Sequence, residues 1–412
     1  MTISPPCFLF SPRMSKGFVP PGMAVSRNST GYAMGPAGLL VQSSNNVMRL
    51  AYDPANVGNP QGILVEQSSI NLELYSQLLS NAAWTVTRGS VPSTNNASPD
   101  GGTTASLLAE DSTATSTHYI TQSLTASAST AYTWSVYAKA GLRSQIEMYL
   151  FDGAGNYTMA QFDLGLGTVI SGPTTSGFTT TAANIQSIGN GWYRCWVTST
   201  ISSNTTLKQS IYLMSSGNLT YTGLGATYGV YIWGSQVEAN LLPTSYVPTT
   251  STSVTRAAST LLIPLSSIPG WNSAAGTLVV EGVTPIQAGA ASSFYACIDD
   301  GTANNQIYVT QATNGNVYGS TRIGGSTSAQ VNLGSGAQNT PFIVAFSWAS
   351  GAFAASLNGA TPVTSSSGSL PSGLTALRIG SGYSSNYANA PVSRVALYSR
   401  ALTGSDLQAV SA

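Results

Sequence analysis

Through most of the chain apolar and polar residues alternate with a period of two, the mark of strands with one face turned to a core. Such runs fall at 118–124, 131–140, 145–151, 159–164, 184–188, 192–198, 208–214 and 229–237, separated by Thr, Ser and Gly. Short strands spaced this way without a fixed repeat length predict a sandwich or jelly roll rather than a propeller. In the run from 192, alternation puts Tyr193, Cys195 and Val197 on one face and Trp192, Arg194 and Trp196 on the other. Both faces are apolar or aromatic, so this strand is expected at the centre of its sheet, entered through the turn Gly189-Asn190-Gly191. A second series at 276–283, 293–298, 306–310, 342–348, 352–357, 376–379 and 391–398 predicts another β unit. The polar stretch 247–255 reads as an extended linker between the two. The piece 401–410, with Leu402, Leu407 and Val410 and with Thr403 as candidate N-cap, reads as one short helix.

Ahead of these units, 38–41, 47–52 and 62–66 are short extended pieces punctuated by Asp53-Pro54 and Asn59-Pro60, which predicts small hairpins. Residues 1–30 are rich in Pro and Met, carry Arg13, Lys16 and Arg27, and show no clear period. A neighbouring protein is the expected support for this tail, with packing on its own domain as the alternative.

Composition strengthens the all-β reading. Charged residues make up 7% of the 412 positions while apolar content is 42%, so Ser, Thr, Asn and Gly carry the surface. Helix-favouring Glu, Lys, Gln and Arg are scarce, whereas Thr, Val, Tyr and Gly-rich turns abound. Fourteen basic and fourteen acidic residues leave no net charge and no basic patch, which argues against nucleic acid as a partner. Neutral polar partners, sugars among them, fit such a surface. Three widely spaced cysteines, Cys7, Cys195 and Cys297, form neither a disulfide framework nor a metal knuckle, and Cys195 and Cys297 read as buried apolar residues. The first residues lack a basic n-region and a continuous apolar h-region, and no segment reaches the ~20 apolar residues that span a bilayer. Synthesis in a cytoplasm without export is the expectation.

Five motifs in order carry a resemblance: Asn81-Ala82-Ala83-Trp84-Thr85, the strand from Tyr132 to Ala140, Gly189 to Cys195, Tyr231 to Glu238 and Thr244 to Thr249. Together they resemble a jelly-roll domain of bacteriophage minor structural proteins that is similar to carbohydrate-binding modules. Further on, Phe353-Ala354-Ala355-Ser356-Leu357-Asn358-Gly359, Leu377-Arg378-Ile379-Gly380 and Val392 to Thr403 look like a laminin-G or concanavalin-A-like sandwich. The resemblance implies an N-terminal attachment segment at 1–30, lead-in hairpins at 31–73, a carbohydrate-module-like jelly roll at 74–257 and a laminin-G-like sandwich at 258–412. It implies a virion protein, a fibre, spike or decoration component assembled in the host cytoplasm and released by lysis. Its partners would be other virion proteins and a host surface glycan, and a homo-oligomer such as a trimer follows by analogy. A cement protein that binds no sugar is the alternative reading, and a polysaccharide depolymerase a third.

A sugar site needs flat aromatic faces with fixed polar partners. Trp192, Arg194, Trp196, Tyr231, Trp233 and Tyr137 would supply them if their sheet is open, and would fill a core if it is not. The core reading moves the search for ligand to the loops, near Trp84, Tyr157 and Asp299. Asp299 and Asp300, followed by Gly301, offer oxygen ligands that Ca²⁺ would accept, and read equally as a solvated turn; no other cofactor is expected. For catalysis the inventory is thin. Glu147, Asp152, Asp163 and Glu238 form no recognisable acid pair, and the one histidine, His118, lies in a plain alternating strand. No enzyme is expected.

Overall fold

The computed structural model describes residues 3–12, 19–203, 205–286, 289 and 291–412. It is an all-β protein of two sandwiches, as the alternation predicts. The first is the jelly roll. One of its sheets runs Thr179–Gly189, Trp192–Ile201, Thr130–Ala140, Gly229–Glu238, Ala105–Glu110, Gly89–Asn96, and the strand from Trp192 is internal to it. The facing sheet runs Thr168–Ser176, Tyr157–Asp163, Gln145–Phe151, Thr205–Met214, His118–Ala126, Thr85–Thr87. Between them lie Trp134, Val136, Ile146, Met148, Leu150, Phe162, Cys195, Val197, Ile211 and Ile232. The turn into the Trp192 strand holds Asn190 at φ 54° and Gly191 at φ 76°, the left-handed pair that a tight two-residue hairpin requires.

The second sandwich is discontinuous. Ala390–Tyr398 pairs with Ala275–Val283 along one edge. Its other edge is shared by Pro60–Val65 and Phe8–Phe10, with Phe8 opposite Leu397. In the facing sheet Ala24–Ser26 pairs with Thr260–Pro264. The described part of the expected attachment segment is therefore wall of the chain's own second sandwich, because an edge strand offers unpaired backbone groups that Phe8–Phe10 satisfies. Cys7 belongs to the same seam, its thiol donating to the Leu397 carbonyl at 3.0 Å. Arg13 and Lys16 lie outside the described residues.

The jelly roll is thus an insertion, and its two crossings pair with each other: Ser69–Asn71 runs antiparallel to Val254–Arg256. The expected loose linker is tied down as well, since Thr249 donates its hydroxyl to the Glu73 carbonyl and Val247 accepts from Asn71. Beside the crossings, buried Glu66 meets Arg49 at 2.7 Å and Arg256 at 3.7 Å. The helix forms at Gly404–Val410 with Thr403 at its N-cap, and packs Leu407 beside Leu402 and Ile3. No helix among the described residues is long and apolar enough to cross a membrane.

Candidate functional site

Alternation in the sheet bearing Gln145–Phe151 sends Ile146, Met148 and Leu150 inward, which leaves Glu147, Tyr149 and Phe151 on the outer face. Register then lines up their neighbours. Tyr119 faces Tyr212 across one ladder and Glu147 faces Tyr212 across the next. Phe151 lies opposite Tyr157, while Ser210 sits between Tyr149 and Thr121. The rings form a connected platform with centroids 4.6 Å apart for Tyr119 and Tyr212, 6.2 Å for Tyr212 and Tyr149, 5.4 Å for Tyr149 and Tyr157, and 4.8 Å for Tyr149 and Phe151. All five are half-buried, so each keeps part of its ring in solvent.

Polar groups are fixed among them. Ser210 Oγ donates to Thr121 Oγ1 at 3.0 Å, and Gln161 Nε2 donates to Glu147 Oε2 at 2.8 Å. Lys208, exposed, holds its ammonium 5.5 Å from the Phe151 ring centre. Burial, with Tyr119, Tyr149 and Glu147 adding to it, pushes the Tyr212 hydroxyl up to about 12, and Tyr149 moves in the same direction for like reasons. Both phenols therefore stay protonated at neutral pH and can donate as well as accept. Burial also raises Glu147 against the opposing pull of Gln161. The platform combines flat apolar rings, neutral hydroxyls and one amide with the Glu147 carboxyl and the Lys208 ammonium among them.

Of the sugar-site and metal residues singled out by sequence, only Tyr157 belongs to this platform, joined there by Glu147, a carboxylate weighed as a candidate acid. Trp192, Trp196 and Trp233 are buried, as are Tyr137 and Arg194. Tyr32, Met34, Leu40 and Tyr52 from the N-terminal hairpins pack on Tyr137, Trp192 and Trp233 and close that face. A bulge at Gly234, φ 62°, lets Trp233 face outward while Val237 faces the core, and a Cβ there would meet the Tyr137 ring at 2.9 Å. Trp84, expected exposed in its loop, is 5% exposed, because Nε1 reaches the Tyr75 carbonyl and the ring joins the jelly-roll core.

No family model matches the chain, and no curated protein matches it. Among solved structures, the Ruminococcus gnavus IT-sialidase CBM40 bound to α2,6 sialyllactose is similar over 34% of this chain and 85% of its own, at 14% identity and TM-score 0.29. Domain 4 of AbnA, a GH43 extracellular arabinanase from Geobacillus stearothermophilus in complex with arabinotriose, is similar over 41% and 82%, at 16% identity and TM-score 0.30. Mouse laminin α1 chain domains LG4-5 cover 68% of this chain and 88% of their own, at 12% identity and TM-score 0.23.

The Ca²⁺ candidate resolves differently. Asp299 is fully buried and its Oδ2 accepts from Arg378 Nε at 2.6 Å, while Asp300 accepts from the Thr302 amide at 2.8 Å and Asn305 Nδ2 at 2.7 Å. One carboxylate is thus an ion-pair partner and the other closes its own turn. Among the described residues no three or more His, Cys, Asp or Glu side chains gather as a metal site. The platform residues Tyr119, Tyr149, Phe151 and Tyr212 were not singled out by sequence reading. Their signal was present, as aromatics at the polar positions of alternating strands.

Proposed function

We propose that this chain is a non-enzymatic sugar-binding protein whose ligand lies across the open tyrosine platform. The observation that carries this reading is the run of five half-buried rings, interleaved with fixed hydroxyls and an amide, on one outer face of the jelly roll. A pyranose ring offers a flat C–H face that stacks on electron-rich aromatic faces, while its hydroxyls seek donors and acceptors at the rim. The absence of catalysis in this proposal is supported by His118, buried with Nδ1 against the Arg88 carbonyl. The five sequence motifs support a place on a phage particle, assembled in the cytoplasm, where many copies turn weak single sites into firm host-surface adhesion.

The test is a glycan array on the purified chain, followed by calorimetry with the best oligosaccharide and with a Tyr149→Ala, Tyr212→Ala double variant. Wild type should bind and the folded double variant should not. Absence of any glycan ligand, or equal binding by the double variant, overturns the reading, and release of reducing ends overturns its non-enzymatic part.

A further inference from the structure

A cleft of about 170 Å³ lies where the inserted jelly roll meets the N-terminal hairpins and the second sandwich. Its walls include Tyr32 and Tyr52 from the hairpins, Tyr137 and Arg194 from the jelly roll, and Pro391 from the second sandwich. Two charged side chains among its lining differ in how far they are satisfied. Glu66 is spoken for by Arg49 at 2.7 Å and by the Ser245 amide and hydroxyl at 2.7 Å each. Arg194 is not. It is 8% exposed, stacks 5.2 Å from the Tyr137 ring centre and spends Nη2 on Ser135 Oγ at 2.9 Å, yet its buried Nε has no partner. Glu238 stands 4.0 Å from that Nη2, but its oxygens already accept from Gln236, Ser69 and both donors of Thr244. That Nε is out of reach of the cleft, but the rest of the guanidinium lines it with its charge only loosely met by Glu238, which favours an anion there.

We infer that this cleft is a second binding site, separate from the tyrosine platform, for a single acidic sugar unit. Its carboxylate would accept from Arg194 and its ring would lie against the tyrosines. A charge-assisted bond in a desolvated site favours the acid over its neutral counterpart, and the aromatic walls favour a ring over a bare carboxylate. The half-buried amide of Gln186, on the same wall, is placed to meet ring hydroxyls.

The experiment is calorimetry of the full chain with D-glucuronate, D-glucose and acetate. Glucuronate should bind at least tenfold more tightly than either control, and Arg194→Gln should lose at least tenfold in affinity. Should Arg194→Gln fail to fold, Gln186→Trp, which adds bulk to the cleft wall from a half-buried position, provides the second arm. It should abolish glucuronate binding with the unfolding midpoint retained. Lack of glucuronate binding by wild type, or unchanged binding in a folded Gln186→Trp variant, overturns the site. Loss of glucuronate binding in Tyr149→Ala, with Gln186→Trp unaffected, moves the ligand to the platform and overturns it equally.

Discussion

Both sheets of the jelly roll turn aromatic side chains outward, and the chain packs its own hairpins on one of them. On that side Trp233 is fully buried beneath Tyr52, Tyr32 and their neighbours. On the other, Tyr149 and its four companions keep part of each ring in water. Residue type is shared; cover is what differs. The carboxylates repeat the contrast. Burial works to raise Glu66 on the covered side, but Arg256, Arg49 and the two Ser245 bonds hold it at about 2. Glu147, on the open side, is raised by burial with only the Gln161 amide in opposition. Aromatic area closed by other parts of the chain holds the molecule together and leaves a ligand only the cleft between the units, whereas aromatic area left open is free to meet a ligand along its whole length.

Four substitutions test that division. Trp233→Ala, which hollows the covered face, is expected to cost about 3–5 kcal/mol in denaturant unfolding. Oligosaccharide binding at the tyrosine platform by the folded fraction should be unchanged. Glu66→Gln leaves Arg49 and Arg256 without their carboxylate and should cost about 3 kcal/mol at neutral pH. Because the folded value near 2 lies below the ordinary 4.5, the wild-type contribution is full above 4.5 and disappears as pH falls toward 2. Acid titration of unfolding should therefore bring variant and wild type together at the low end.

Tyr149→Ala on the open face should cost under about 1 kcal/mol in stability. It should lower oligosaccharide affinity at least tenfold, about 1.4 kcal/mol, as read by calorimetry. If its stability loss matches that of Trp233→Ala, the two faces are not different in kind. Glu147→Gln gives the smallest effect. A raised carboxylate contributes most below its unfolded value and loses that contribution as pH rises through the folded one. Thermal midpoints of the variant should therefore match wild type in acid and decline less on the way to pH 8.

The strands were legible because alternation is local: the internal position of Trp192–Ile201 follows from its having two apolar faces. So was the hairpin at Asn190-Gly191, where residue type answers directly to φ. The cover was not legible. Which face of a sheet meets water depends on Tyr32 and Tyr52 arriving from another part of the chain, and nothing in the local pattern of Trp233 records that arrival. Trp84 failed for a similar reason, since a loop tryptophan is placed by the carbonyl its indole finds, here that of Tyr75. The platform could have been found. Tyr149 and Phe151 alternate with Ile146, Met148 and Leu150, and an aromatic at a solvent position of such a strand is the departure to look for.

The discontinuous second sandwich also sets an order of events during synthesis. Phe8 needs Leu397 opposite it, 389 positions later, and Ala24–Ser26 needs Thr260–Pro264. At about 5–20 residues per second Phe8–Phe10 waits roughly 20–80 s for its partner. The jelly roll, complete once Val254–Arg256 has met Ser69–Asn71, has every strand it needs well before then. Phe8–Phe10, made early, is thus among the last strands to find its place, and a ribosome stalled anywhere ahead of Ala390–Tyr398 leaves its apolar side chains waiting beside a finished neighbour.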